Sequence, residues 1–208
     1  LDDLVEHRLN VVLKARQLGI STTTAAFALW MVLFHRHKSV LIIATKLPTA
    51  INMIRKVDTM LRSLPKWLVL PAVTSRTKQG LEFSNGSWIK AIPTSDDAGR
   101  SEGLSLLCID EAAWIRNFDD LWTGLQPTLA TGGRCVVLST PKGVGGQFHK
   151  LYADAECGAN DFNPICLPWD VHPEHDQAWF ENESRQLGSK RRVGQELALY
   201  TAANLATI

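Results

Sequence analysis

The chain of 208 residues is marked first by what it lacks. Its four cysteines, Cys108, Cys135, Cys157 and Cys166, form no C-x-x-C pair, and Cys108 and Cys135 lie inside apolar runs of the kind that become buried strands. Reduced thiols in a cytosolic setting are the expectation. Neither sign of charge is in excess: 22 Lys and Arg face 21 Asp and Glu. That excludes the global basic field of a passive nucleic-acid coat or a membrane-surface protein, so any contact with a polyanion must be local. No apolar run reaches the 18 residues or so that a membrane helix needs, and the opening stretch "LDDLVEHRLN" has no apolar signal core. The expectation is a soluble protein with no membrane partner. There are no internal repeats and no low-complexity linker. The chain opens on Leu1 and turns strand-like by Asn10, which reads as a piece of a longer protein with something missing in front.

What is present is a hydrophobic content of 45%, enough for one sizeable core and a small appendage. Short β-branched apolar runs alternate with segments of helical period, a pattern that predicts α/β architecture around a mostly parallel sheet. Strands are expected at 10–15, 39–45, 104–110 and 134–140, and a last one at 162–169. Helices are expected at 22–37 and 48–63, the first apolar on most sides and closed by the cations of "HRHK", the second stopped by Pro65. Residues 176–200 read as two helices broken at Leu187-Gly188. In 80–92, alternating runs flank Asn85-Gly86, a strong hairpin signal, and predict an antiparallel excursion at the sheet edge. The seven tryptophans stand in mostly apolar contexts and read as core.

Three strand ends carry the chemistry-bearing residues. "KARQLGIST" (14–22) has the outline of a phosphate-binding loop, in which backbone N–H groups cradle phosphates, a lysine reaches the terminal oxygens and a hydroxyl holds Mg²⁺. Gly19 and Ser21 fill the second-glycine and hydroxyl positions. Ile20 stands where lysine belongs, and Lys14 stands at the first-glycine position, from which its charge can return over the anion. Arg16 adds a planar, forked cation. An ordinary strand-turn-helix would read the same way if the loop stood alone.

"LLCIDEAAW" (106–114) is an apolar strand ending in Asp110-Glu111. Two acids at the end of a buried strand are costly unless they meet a cation, and the pair divides naturally into a metal-supporting aspartate and a water-polarising glutamate. "VVLSTPKG" (136–143) releases Ser139, Thr140 and Pro141 at the same edge of a parallel sheet, where ligands bind. The loop "SDDAGRSEG" (95–103) leads into the acidic strand and carries Arg100. His172 and His175 resemble a metal pair but read as a polar loop, and "GSKRRVG" (188–194) is a basic cluster suited to phosphates or to a helix end.

Together these motifs resemble the ATPase domain of the large terminase subunit of tailed bacteriophages, over roughly residues 10–152, with "RRVGQELALY" (191–200) similar to the segment that closes that domain. The lysine-shifted loop is the most specific part of the likeness. The resemblance implies an ASCE-type P-loop NTPase fold, with an ATPase core over 1–152 and a closing segment or lid over 153–208. It implies ATP and Mg²⁺ as cofactors. Lys14, Ala15, Arg16, Gln17, Gly19, Ile20, Ser21 and Thr22 would bind nucleotide, and Ser21 and Asp110 would support the metal. Glu111, Arg16 and Arg100 would be catalytic, with Arg100 reaching a neighbouring subunit, and Ser139, Thr140 and Pro141 would couple hydrolysis to movement. The implied partners are double-stranded DNA, the portal protein, the small terminase subunit and further copies in a ring. The implied location is the cytoplasm of the infected host, docked on the procapsid. The family's adenine-contacting segment and its nuclease domain have no counterpart in this stretch. A helicase-like ATPase and a nucleotide-binding module without turnover remain open as alternatives at this point.

Overall fold

The computed structural model describes residues 1–94 and 103–187. A short helix α1 (Asp2–Glu6) precedes strand β1 (Leu9–Lys14), helix α2 (Ile20–Phe34), strand β2 (Ser39–Ala44) and helix α3 (Leu47–Ser63). Three short strands follow, β3 (Val73–Arg76), β4 (Gly80–Phe83) and β5 (Trp88–Ile92). Beyond the undescribed stretch come β6 (Leu106–Asp110), α4 (Phe118–Leu125), β7 (Arg134–Ser139), α5 (Gln147–Glu156), β8 (Asn163–Leu167) and α6 (Gln177–Leu187). The eight strands form one sheet in the order β3-β4-β5-β2-β6-β7-β1-β8. Neighbours run parallel from β5 to β8, and only the β3–β4 and β4–β5 pairings are antiparallel.

The strand period of two sorts the core into two layers. Val12, Val40, Ile42, Leu106, Cys108, Val136 and Leu138 point to the face covered by α2 and α3. Val11, Leu13, Leu41, Ile43, Leu107, Ile109 and Val137 point to the face covered by α4 and α5. This explains why the central strands read as unbroken apolar runs: both faces are dry. Each fully buried Leu or Ile contributes roughly 1.5–3 kcal/mol.

Local chemistry sets most element ends. Leu64, before Pro65, is extended (φ −65°, ψ 143°), so α3 stops one residue earlier. The Asn85-Gly86 turn joins β4 to β5, with Gly86 at φ 79°. Its hairpin is not the outermost pair, because β3 adds a further strand outside it. The asparagine amide also donates to the carbonyls of Val32 and His35, 2.8 and 3.1 Å away. That contact corrects the expected end of α2: the helix stops at Phe34, and the "HRHK" cations lie beyond its last turn. The asparagine amide, not a cation, meets these terminal carbonyls.

The expectation that the tryptophans form core holds only in part, since Trp88, Trp122 and Trp169 pack partly buried against one core layer. None of the seven is fully buried, Trp30 is 41% exposed and Trp67 79%. The indole is large enough that apolar context in the sequence does not translate into enclosure. β8 falls within residues 153–208 and pairs in parallel with Asn10 to Lys14 of β1. The helix expected beyond Leu187 lies outside the described residues. No described helix is long and apolar enough to cross a membrane.

Candidate active site

The parallel arrangement delivers the C-terminal ends of β1, β6 and β7 to one edge, and there the three motifs meet. β1 ends at Lys14, which is 6% exposed, and the chain turns through Ala15, Arg16, Gln17 and Leu18 into α2. Gln17 (φ 61°) and Gly19 (φ 77°) both adopt left-handed backbone. A Cβ on Gly19 would meet nothing within 4 Å, so its glycine answers a dihedral requirement, not a crowded one. The Gly19 carbonyl accepts from the N–H groups of Thr22 and Thr23, which starts the helix directly at the loop. Ile20, where the lysine of an ordinary phosphate loop stands, packs against the core on the α2–α3 side of the sheet. An apolar residue fits that place because the cation comes from the strand instead.

Lys14 reaches across the edge: its Nζ lies 3.0 Å from Glu111 Oε1. Ser21 Oγ donates to Asp110 Oδ2 at 2.9 Å, and the Glu111 N–H donates to Asp110 Oδ1 at 3.0 Å. Thus the residues of the loop already pair with the two acids of β6. Asp110 is 4% exposed, and burial, followed by the neighbouring Glu111 charge, raises its carboxyl above the ordinary range, against the opposing pull of Lys14 and Ser21. Glu111 sits at φ 55°, ψ 42°, an unfavourable conformation for a non-glycine residue, at the entry to a short 3₁₀ turn (Ala112–Trp114).

β7 completes the edge. Thr140 Oγ1 donates to Glu111 Oε2 at 3.2 Å, and Trp114 Nε1 donates to Thr140 Oγ1 at 3.0 Å. Ser139 Oγ accepts from the Ala113 N–H at 3.1 Å and donates to the Thr140 carbonyl at 2.8 Å. Buried Pro141 follows, and Lys142 Nζ stands 5.2 Å above the Trp114 ring. Lys14, Ser21, Asp110, Glu111, Ser139 and Thr140 are therefore brought into one connected network. Arg16, Gln17, Gly19 and Thr22 line the same loop, with Ala15 bonded to the Leu167 carbonyl at its base. Arg100 lies outside the described residues.

The donor set suits a hard divalent cation, with a hydroxyl and a carboxylate already within contact distance of each other. The raised Asp110 carboxyl is the physical sign of fit, since a buried acid without a full complement of positive charge gains most from a cation. Among the described residues no cluster of three or more His, Cys, Asp or Glu side chains offers a different metal site. His172 and His175 stack on one another, and His175 stacks on Trp179 with centroids 3.6 Å apart.

Two participants escaped sequence reasoning. Trp114 was grouped with the core tryptophans, although its position directly after "DEAA" was a usable signal. Lys56 of α3 donates to Thr22 Oγ1 at 2.9 Å, a contact 34 positions apart that no local pattern announces.

Comparison with known proteins concerns the fold and the family. The chain has the fold of the Thermus phage P74-26 large terminase ATPase domain, at 21% identity and a TM-score of 0.69, covering 93% of this chain and 88% of that one. It has the fold also of the HK97 bacteriophage large terminase, at 14% identity and a TM-score of 0.71. Here 96% of this chain matches 48% of the other. A large terminase from a thermophilic bacteriophage, solved in complex with ADP, matches at 11% identity and a TM-score of 0.71, over 94% of this chain and 48% of that one. This chain thus spans about half the length of those two longer proteins. The model of the family "Terminase large subunit, T4likevirus-type, N-terminal" matches residues 11–163, most of the chain. The chain belongs to the terminase large subunit family.

Proposed function

We propose that this chain hydrolyses ATP and that the hydrolysis drives double-stranded DNA into a procapsid. The observation that carries the reading is the network joining Lys14 to Glu111, Glu111 to Thr140 and Ser21 to Asp110 across the ends of three strands. Such a network supplies each element that phosphoryl transfer to water needs: cations for the phosphates, a metal-supporting pair and a base beside them. Lys14 and Arg16 would hold the phosphates, with Gly19, Ser21 and Thr22 presenting the start of α2 to them. Ser21 and Asp110 would hold Mg²⁺, which when bound neutralises phosphate charge.

In the described arrangement Lys14 is engaged by Glu111. The Lys14 ammonium has three N–H donors, and a phosphate that draws it away from Oε1 would free a lone pair of Glu111. The glutamate then orients and polarises the water that attacks the γ-phosphorus in line with the departing ADP oxygen. Loading and activation of the base are in this way one event. Thr140 holds Oε2 throughout and ties the base to β7, which is how Ser139, Thr140 and Pro141 would report the state of the site to the rest of the sheet. Arg100 is proposed to act on a neighbouring subunit's nucleotide. The assembly would be a homo-oligomeric ring on the portal protein, supplied with DNA by the small terminase subunit, in the cytoplasm of the infected host. Family membership disfavours both the helicase-like alternative and the module without turnover.

The test is ATP hydrolysis by the wild-type chain, Glu111→Gln and Lys14→Ala, with nucleotide binding measured in parallel. Lys14→Ala should lose affinity, while Glu111→Gln should bind ATP and turn it over slowly. Turnover unchanged by both substitutions would sink the assignment.

A further inference from the structure

The stretch "DEAAW" sets a tryptophan three residues beyond the proposed base. In a 3₁₀ turn, side chains three positions apart lie one above the other. Ala112–Trp114 is such a turn, with Glu111 at its N-cap and the Trp114 N–H donating to the Glu111 carbonyl at 2.9 Å. The local geometry thus brings the indole to the neighbourhood of the carboxylate. The turn is also stitched to the end of β7, by the Ala113 N–H on Ser139 Oγ at 3.1 Å and by Trp114 Nε1 on Thr140 Oγ1 at 3.0 Å.

An indole N–H can only donate, whereas a hydroxyl has one hydrogen and two lone pairs. Buried Thr140 Oγ1 accepts from the indole, so its single hydrogen is left for the acceptor on its other side, Glu111 Oε2 at 3.2 Å. The Thr140 backbone N–H faces the same oxygen from 3.5 Å. The carboxylate gains a direction from this. Its terminal torsion is broad and roughly two-fold, so without a fixed donor its two oxygens exchange. With Oε2 held, Oε1 is the corner left to Lys14, 3.0 Å away, and to a water that takes the lysine's place. Bonds in series inside a dry site polarise one another, which strengthens the hold. Lys142 Nζ, 5.2 Å from the centre of the indole ring, adds an attraction that keeps the ring in its place.

We propose that Trp114 is a positioning residue for the hydrolysis: its indole N–H sets the direction of the Thr140 hydroxyl, which holds Glu111 with one chosen oxygen toward the attacking water. The inference rests on the reading of Glu111 as the base. An indole that merely satisfied its own N–H would serve the fold and leave the chemical step alone. The two roles separate in kinetics, because a contact that orients the base without touching nucleotide moves kcat and not KM.

The test is steady-state ATP hydrolysis by the whole chain carrying Trp114→Phe, Thr140→Val or both. Phenylalanine keeps a ring beneath Lys142 and removes the donor. A second replacement, 3-benzothienylalanine at position 114, keeps the full shape of the indole with sulfur in place of N–H, and it decides the matter should phenylalanine disturb folding. Either change is expected to lower kcat about three- to tenfold, with KM and ATP affinity held within about twofold. Thr140→Val should lower kcat at least as far, and adding Trp114→Phe to it should cost nothing more, since the indole acts only through that hydroxyl. Losses that multiply in the double variant overturn the proposal, as does a Trp114→Phe chain with unchanged kcat or one in which KM alone rises. A further reading needs no turnover. The proton resonance of the Trp114 indole N–H should move upfield in Thr140→Val, which removes its acceptor, and should shift in Glu111→Gln, at the far end of the relay. A resonance indifferent to both overturns the relay. A chain that shows these shifts but hydrolyses no ATP leaves the relay standing and overturns the reading of Glu111 as the base.

Discussion

The two edges of the central sheet spend their polar side chains differently. At the C-terminal edge, Lys14, Ser21, Asp110, Glu111, Thr140 and Trp114 bond chiefly to one another. At the N-terminal edge the partners are mainly backbone. Arg8 donates to the carbonyls of Leu129 and Gly133, Arg134 to those of Leu4 and His7, Asn10 to that of His7, and Ser87 to that of His35. Main-chain carbonyls do not move or ionise, so these bonds fix loops in place. Side chains that satisfy each other can be re-paired by an incoming ligand. The edge whose polar groups answer chiefly to each other is the edge that can exchange them.

Substitutions at each edge should separate along this line. The largest effect is expected for Glu111→Gln, which keeps the fold but removes the proposed base. Steady-state assays should show kcat falling by about 10²–10⁴-fold, with little change in melting temperature. Lys14→Ala removes a charge-assisted contact, so calorimetric titration should show nucleotide affinity down by about tenfold to a hundredfold. At the opposite edge, Arg134→Met takes the side-chain donor from the Leu4 carbonyl and leaves Asn10 as the donor to that of His7. Denaturant unfolding should record a loss of about 1–3 kcal/mol, while turnover per folded molecule is kept. Equal damage to turnover from Arg134→Met would erase the distinction between the edges.

The smallest expected effect lies in pH. Burial raises Asp110 in the folded state, so the native chain holds this proton more tightly than the unfolded chain does. Its contribution favours folding below the ordinary carboxylate range and is lost as pH rises through the raised folded value. Asp110→Asn should therefore flatten that decline in melting temperature with pH. Mg²⁺ is expected to raise the melting temperature of the wild type and to leave that of this variant unchanged.

The sequence made the functional edge more legible than the scaffold around it. Lys14, Gly19, Asp110, Glu111, Ser139 and Thr140 stand at the ends of unbroken apolar runs, and a parallel sheet necessarily gathers such ends. β3 was invisible because "VTSR" alternates weakly and owes its strand state to pairing with β4. α4 and α5 were missed because their apolar faces are short and become meaningful only against the layer formed by Leu107, Ile109 and Val137. Lys56 and Trp114 belong to the site through contacts made in space, which local spacing does not encode. The exposure of Trp67 was likewise unreadable, since a loop rich in Leu, Val and Pro has the same composition whether it folds inward or outward.

The amide of Asn85 has a mechanical meaning. α2 begins in the phosphate loop and ends where that amide takes the carbonyls of Val32 and His35. Fifteen residues of helix make a stiff rod about 22 Å long. One end of the rod rests where nucleotide charge would arrive, and the other is pinned to the turn between β4 and β5. A tilt at the loop is therefore delivered to the far side of the sheet as a displacement of the hairpin, beside the surface that carries Trp67.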